Sequence, residues 1–363
     1  MSHSTAWLRA GPTIGAAMAR PFDNIGVIRL ALALAVVVSH AFGVSTGSIA
    51  SEPLIRTTGF TLGGHAVNGF FALSGFLVTL SFIRNGVADY VIARFLRIAP
   101  GLVAATLFVA LVLGPALTKL PLADYFGGGG VGRFVMTTLT AFKSSNSLPG
   151  VFTDNPLPFP LATVWTLKYE TLCYAAVLLF GFAGAIRYRA VVLGLVGGLF
   201  AATVGLEILD PDAPQGVQTA LRLPLIFATG AALCLYRDAV PLSAPILVVL
   251  AGLTWLSAGT GSYKALLFVT TAYAVIWLGF APGLSHPALT LKWDLSYGVY
   301  LYGWPVQQTV YSLFPTMPLA GQLGASIVLA MLLAGLSWLF IEKPALTLKA
   351  RLRARRVRSA LAS

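Results

Sequence analysis

The sequence predicts an all-α membrane protein, a polytopic bundle of about ten transmembrane helices with both termini cytoplasmic. Three observations carry that prediction: composition, the recurrence of long apolar runs, and the side on which the basic residues fall. Of 363 residues, 57% are hydrophobic and only 10% charged. An ordinary soluble domain is roughly 25% charged, so a water-soluble globule of this size would lack the polar residues to cover itself. The same numbers exclude a disordered chain, and two cysteines exclude a disulfide scaffold.

A helix needs about 20 mostly apolar residues to cross a bilayer core. Such runs lie at approximately 25–43, 63–83, 99–118, 163–183, 190–209, 217–236, 243–259, 264–281, 293–313 and 321–341. The breaks between them carry turn chemistry: Arg84-Asn85-Gly86, Pro121, the Gly127–Gly130 run, Asp210-Pro211-Asp212-Ala213-Pro214, Arg237-Asp238 and Pro282-Gly283. The seventh run is the weakest, being short and opened by Pro241 and Pro245. Between 119 and 162 comes one long loop, in which the half-apolar stretch Val131–Phe142 is too short to span and suits a re-entrant or interfacial segment.

Ten crossings put both termini on one side, together with the loops 84–98, 184–189, 237–242 and 282–292. That side holds 16 of the 24 Lys and Arg residues, whereas the other holds Arg56, Lys119, Arg133, Lys143 and Lys264. The basic side is therefore expected to be cytoplasmic. The same clustering accounts for the formal charge of +12 without a nucleic-acid partner; membrane lipids are the expected surroundings. The chain divides into a cytoplasmic segment 1–24, a membrane domain 25–344 and a basic cytoplasmic tail 345–363.

A charged group at the middle of a bilayer costs about 2.5–3.5 kcal/mol on insertion scales and faces a cavity or a partner as a rule. Arg29, His40, Lys168 and Glu170 fall inside the runs. Arg29 and His40 are 11 residues apart. At about 100° and 1.5 Å per residue they share one helix face, about 16 Å apart along the axis. That suits a long ligand, with an anionic part at the guanidinium and a reactive end at the imidazole. The plainer alternative is an arginine that snorkels and a histidine capped by a carbonyl. Glu170 is expected at a depth similar to that of His40, where the two could form an acid/base pair. Pairing with Lys168 instead is disfavoured because residues two apart point away from each other on a helix. Ser74 lies in a small-residue stretch that permits close helix contact, or lines a polar path. Arg94 and Arg97, three apart, can face one ligand or simply form a basic flank. His3, His40, His65 and His286 are scattered and Cys173 and Cys234 lie in separate runs, so no metal site is expected. Neither a P-loop nor a dinucleotide fingerprint occurs.

Taken in order, these segments resemble the acyltransferase-3 family of bacterial membrane proteins. Arg29 through His40 matches its Arg-x10-His signature. Phe70-Phe71-Ala72-Leu73-Ser74-Gly75-Phe76, Arg94-Phe95-Leu96-Arg97-Ile98-Ala99-Pro100 and Trp165-Thr166-Leu167-Lys168-Tyr169-Glu170 are similar to three further motifs. Leu295-Ser296-Tyr297-Gly298-Val299-Tyr300-Leu301-Tyr302 and Ile341-Glu342-Lys343-Pro344 match the late ones. Each is weak alone, but together they run in the family's order across residues 22–344.

The resemblance implies a multi-pass protein of the bacterial inner membrane that moves an acyl group, most often acetyl, from cytoplasmic acyl-coenzyme A to a carbohydrate hydroxyl. The acceptor would be a polysaccharide, a lipid-linked sugar or a glycolipid. It makes His40 the catalytic base or a transient acyl carrier, and has Glu170 orient the histidine or the acceptor. Arg29, Arg94 and Arg97 would engage the donor, and Ser74, Lys168, Tyr169, Tyr297 and Tyr300 complete the implied substrate-binding set. Many relatives place a histidine before the aromatic-Pro pair of the ninth run, where this chain has Gly303-Trp304-Pro305. Some relatives also carry an extracytoplasmic hydrolase-like domain, whereas here a stand-alone membrane domain is expected. The rival reading from the residues is a proton-coupled transporter or flippase of a lipid-linked sugar.

Overall fold

The computed structural model describes residues 11–348 apart from Pro282 and Ser285. The first ten residues, with Arg9, and the tail from Lys349 onward lie outside the described residues. The principal helices are α1 (Ile25–Thr46), α2 (Leu62–Phe108), α3 (Gly130–Ala141), α4 (Trp165–Phe182), α5 (Arg189–Leu209), α6 (Gln215–Leu235), α7 (Ala244–Leu256), α8 (Tyr263–Phe280), α9 (Ser296–Leu313) and α10 (Leu319–Ser337). No strand occurs among the described residues; Thr13 and Pro241 form an isolated bridge.

Six helical stretches among the described residues are long and apolar enough to cross a membrane: Ile25–Thr46, Leu62–Leu117, Arg189–Leu209, Gln215–Leu235, Tyr263–Phe280 and Leu319–Leu348. The runs expected at 63–83 and 99–118 both fall within the second of these. The segment 84–98, expected as a loop, is helical instead. Gly86, at φ 74° and ψ 175°, interrupts the helix within α2. A β-carbon there would meet nothing within 4 Å, so the left-handed backbone alone calls for glycine. Helices α4 and α9 have 18 residues each but are diluted by polar side chains, Lys168 and Glu170 in one and Gln307 and Gln308 in the other. Helix α7, at 13 residues, covers only about 20 Å. In the long loop, α3 buries Val131, Phe134 and Thr138 along one stripe, as an amphipathic helix lying on a surface would.

The chain forms two compact units. The first comprises Met1–Arg29, Asn68–Gly86 and Tyr169–Leu291; the second comprises Leu30–Val67, Val87–Lys168 and Lys292–Ser363. In the first, α2 and α6 meet backbone to backbone. A β-carbon on Gly75 would collide with the Phe227 carbonyl, and one on Gly230 with that of Ala72. Such small-residue contacts provide close van der Waals packing where lipid leaves no hydrophobic drive between helices. Asn24, just before α1, donates from its backbone N–H to the Gly279 carbonyl at 2.9 Å and from Nδ2 to that of Leu278 at 3.2 Å, satisfying the end of α8.

In the second unit Gly298 of α9 packs on Ala334 of α10, where a β-carbon would lie 2.8 Å from the Ala334 Cα. The carboxylate of Glu52, 3% exposed, accepts from the Leu62 N–H at 2.8 and 2.9 Å and from the Ser39 hydroxyl at 3.1 Å. It thereby caps the start of α2 and ties it to α1 beside His40. In contrast to these packed interiors, the outer faces are apolar and bare: Leu209 is 85% exposed, Trp255 75% and Phe340 71%. Exposed apolar side chains of that size are unsuited to water and suited to lipid tails. The protein is a multi-pass helical membrane protein.

Candidate active site

Helix α1 is unbroken from Ile25 to Thr46, so the expected face shared by Arg29 and His40 exists. Both residues are half-buried, and Ala33 and Val36, which lie between them on that face, are buried. The face therefore points into protein, with aliphatic side chains filling the interval between the two polar groups.

His40 in the second unit is held by packing. Its ring stands edge-on to Trp304 of α9, with centroids 5.0 Å apart and planes at 87°. Trp304 is in turn fixed by its indole N–H, which donates to the Phe159 carbonyl at 2.5 Å. One turn further along α9, Gln307 donates through Nε2 to the Val37 carbonyl at 2.7 Å, and Val37 lies one turn before His40 on α1. Gln308 accepts at Oε1 from Asn155 Nδ2 at 2.6 Å. His40 Nδ1 is buried and makes no hydrogen bond among the described residues. The imidazole is thus positioned by contacts that leave this nitrogen uncommitted. Gly303, where many relatives have histidine, faces Val37: a β-carbon would lie 2.7 Å from the valine Cγ2. Any side chain there presses on that methyl group.

Arg94 and Arg97 both lie on α2 and are half-buried. Arg97 Nη2 pairs with Asp294 Oδ2 at 3.0 Å, and its guanidinium lies over the Tyr297 ring at 5.5 Å. The Tyr297 hydroxyl donates to the Ile98 carbonyl at 2.8 Å. Tyr300 is buried and bonds inside the protein: its hydroxyl donates to the Thr163 carbonyl at 2.8 Å and lies 2.6 Å from Thr166 Oγ1. Lys168 is exposed near the start of α4.

In the first unit Glu170 is half-buried. Its Oε1 accepts from Ser74 Oγ at 3.3 Å and from the hydroxyl of Tyr174, one turn along α4. The expected carboxylate and serine are therefore brought together, with Tyr174 as a partner that sequence reasoning did not single out. Tyr169 is an electrostatic neighbour of Arg222 on α6. Arg222 lies inside the run 217–236, and the rule that drew attention to Arg29 and Glu170 applies equally to it. Asp294, Trp304 and the paired glutamines were also missed. Asp294 lies one residue before a recognised motif, whereas a buried glutamine carries no charge to betray it.

Polar and charged groups within the spans of a multi-pass bundle are costly to bury and are the usual mark of a functional site in a membrane protein. The family model described as "Acyltransferase domain" matches residues 22–341. The chain belongs to this acyltransferase-3 family and is a membrane acyltransferase. Among curated relatives it is similar to the "O-acetyl transferase" of Shigella phage Sf6, 28% identical over 335 residues, covering 88% of this chain and 94% of the relative. It is also similar to "Nodulation protein 10" of Rhizobium leguminosarum bv. viciae, 29% identical over 371 residues, covering 92% and 96%. No solved structure matches.

Proposed function

We propose that this protein is an O-acyltransferase of the bacterial inner membrane, with ten crossings and both termini cytoplasmic. It takes an acyl group, acetyl in the first instance, from cytoplasmic acyl-coenzyme A and transfers it to a hydroxyl of a cell-surface carbohydrate. The observation that carries the reading is the single helix α1, which bears Arg29 and His40 on one protein-facing side. Family membership supports the acyl transfer, and the relative named an O-acetyl transferase supports oxygen as the acceptor atom and acetyl as the group.

In this reading Arg29, Arg94 and Arg97 bind the anionic part of the donor, since guanidinium forks suit phosphate. The thioester end of the donor is presented to His40. The imidazole takes the proton of the acceptor hydroxyl as its oxygen attacks the thioester carbonyl. The carbon–sulfur bond breaks, and the departing thiolate receives that proton, so an ester and a free thiol are formed. Holding both reactants in one place supplies much of the rate. Glu170, its carboxylate set by Ser74 and Tyr174, takes the second catalytic part by orienting the imidazole or the acceptor.

The test is to supply labelled acetyl-coenzyme A to purified protein together with crude cell-envelope glycan. Label is expected in the glycan as an alkali-labile ester. Passage of an unmodified lipid-linked sugar across sealed vesicles, with no label transferred, would overturn the reading in favour of a carrier.

A further inference from the structure

We infer that Asp294 is a positioning residue for the donor: it fixes the guanidinium of Arg97 in the orientation that receives an anionic group of acyl-coenzyme A. This rests on the reading of Arg97 as a donor-binding residue and adds a part that no motif or comparison assigns.

The geometry is a bracket built from two separated stretches of the second unit. On α2, Arg97 is 15% exposed; just before α9, Asp294 is 26% exposed, and the two meet at 3.0 Å. One carboxylate oxygen, Oδ2, holds the guanidinium, while the other, Oδ1, accepts from the Ser296 hydroxyl at 2.6 Å. Ser296 is itself buried, at 1% exposed. The carboxylate is therefore oriented from behind before it orients the arginine. The guanidinium lies over the Tyr297 ring, its Cζ 5.5 Å from the centroid, and that ring is anchored by its hydroxyl to the Ile98 carbonyl. Tyr297 reaches this place because residue 101 is glycine: a β-carbon there would lie 2.7 Å from the tyrosine Cε1. Arg97 thus sits between a carboxylate and an aromatic ring. A preorganised arginine loses less freedom when an anion arrives, and the gain appears in donor affinity. The alternative use for Asp294 is purely structural, as an acid favouring the helix N-terminus that begins at Ser296.

The two uses separate in a binding measurement. Asp294→Asn keeps the side chain's size and an oxygen for Ser296 but removes the charge that holds Arg97. With full-length protein in lipid nanodiscs, calorimetry with acetyl-coenzyme A is expected to show the Kd rising about tenfold, as loss of the ion pair that holds a binding arginine predicts. KM for the donor rises in parallel while kcat stays within about twofold, as loss of uniform binding predicts. Asp294→Glu restores part of the affinity. Arg97→Gln and the double variant Arg97→Gln, Asp294→Asn bind equally, because Asp294 acts through Arg97. The inference is overturned if Asp294→Asn binds like the parent, or lowers the thermal midpoint with no change in Kd. It is also overturned if the asparagine weakens binding as much without Arg97 as with it. A parent protein that binds no acetyl-coenzyme A defeats the donor reading itself, and this inference with it; a parent that binds while Asp294→Asn matches it defeats this inference alone.

Discussion

The surroundings of Glu170 and of His40 differ in how the polar group is held. In the first unit the Glu170 carboxylate collects donors on a single oxygen, from Ser74 and from Tyr174. In the second unit His40 is braced by the Trp304 ring, and its Nδ1 is buried without a hydrogen bond among the described residues. The carboxylate is oriented by hydrogen bonds that are already made, whereas the imidazole is oriented by shape and keeps a nitrogen in reserve. A group that must accept and release a proton is better served by the second arrangement, because no existing bond has to be broken first.

Substitutions break or sharpen this contrast in a definite order of size. His40→Ala should have the largest effect, lowering acyl transfer by about 10²–10⁴-fold, the usual worth of a general base. The protein should still accumulate in the membrane, as a blot of the membrane fraction would establish; a well-expressed variant with normal transfer would remove His40 from the mechanism. Glu170→Gln keeps an oxygen for Ser74 and Tyr174 and removes only the charge. It should cost about 10²-fold, at the lower end for acid–base groups, measured as kcat with donor and acceptor saturating.

A third change reaches the packing behind His40. Gly303→His restores the residue many relatives carry but drives a side chain into Val37, and should destabilise the protein by about 1–3 kcal/mol, as overpacking does. A thermal melt of the detergent-solubilised protein reads this, with an unchanged midpoint as the contrary result. The smallest effect is expected at an exposed polar pair in the long loop. Lys119, by hydrogen bond and charge, holds the Asp154 carboxyl below the usual carboxylate range. That contribution is present at neutral pH, above the unfolded value, and is lost as pH falls through the lowered folded one. Because the two side chains are 59% and 76% exposed, water screens the pair. Asp154→Asn should leave the melting midpoint unchanged at pH 7 and equally in acid.

Much of the fold was legible in the sequence because lipid imposes a simple rule: a span must be long, apolar and helical. The run 25–43 became Ile25–Thr46 and 190–209 became Arg189–Leu209. The expectation failed at 84–98, where Arg84-Asn85-Gly86 pointed to a loop. There a left-handed glycine interrupts the helix, and the charges sit on helical residues. The candidate site was legible where charge entered a span, since burying charge is costly enough to be conspicuous. Arg29, His40 and Glu170 were found in this way, and Arg222 was open to the same reasoning. Trp304, Gln307 and Gln308 were not, because an aromatic or an amide within an apolar run has no sequence pattern that separates packing from positioning.

Composition and periodicity thus determined on their own that the chain is a helical membrane protein, and that α1 carries a guanidinium and an imidazole on one face. Both follow from local rules, the free energy of transfer and the pitch of the helix. Only the tertiary structure decided that Asp294 meets Arg97 across 197 residues of chain, that Trp304 braces His40 and that Ser74 serves Glu170. Those pairings depend on which helices pack together, and that is set by contacts such as Gly75 on Phe227 and Gly303 on Val37, whose partners no local pattern names.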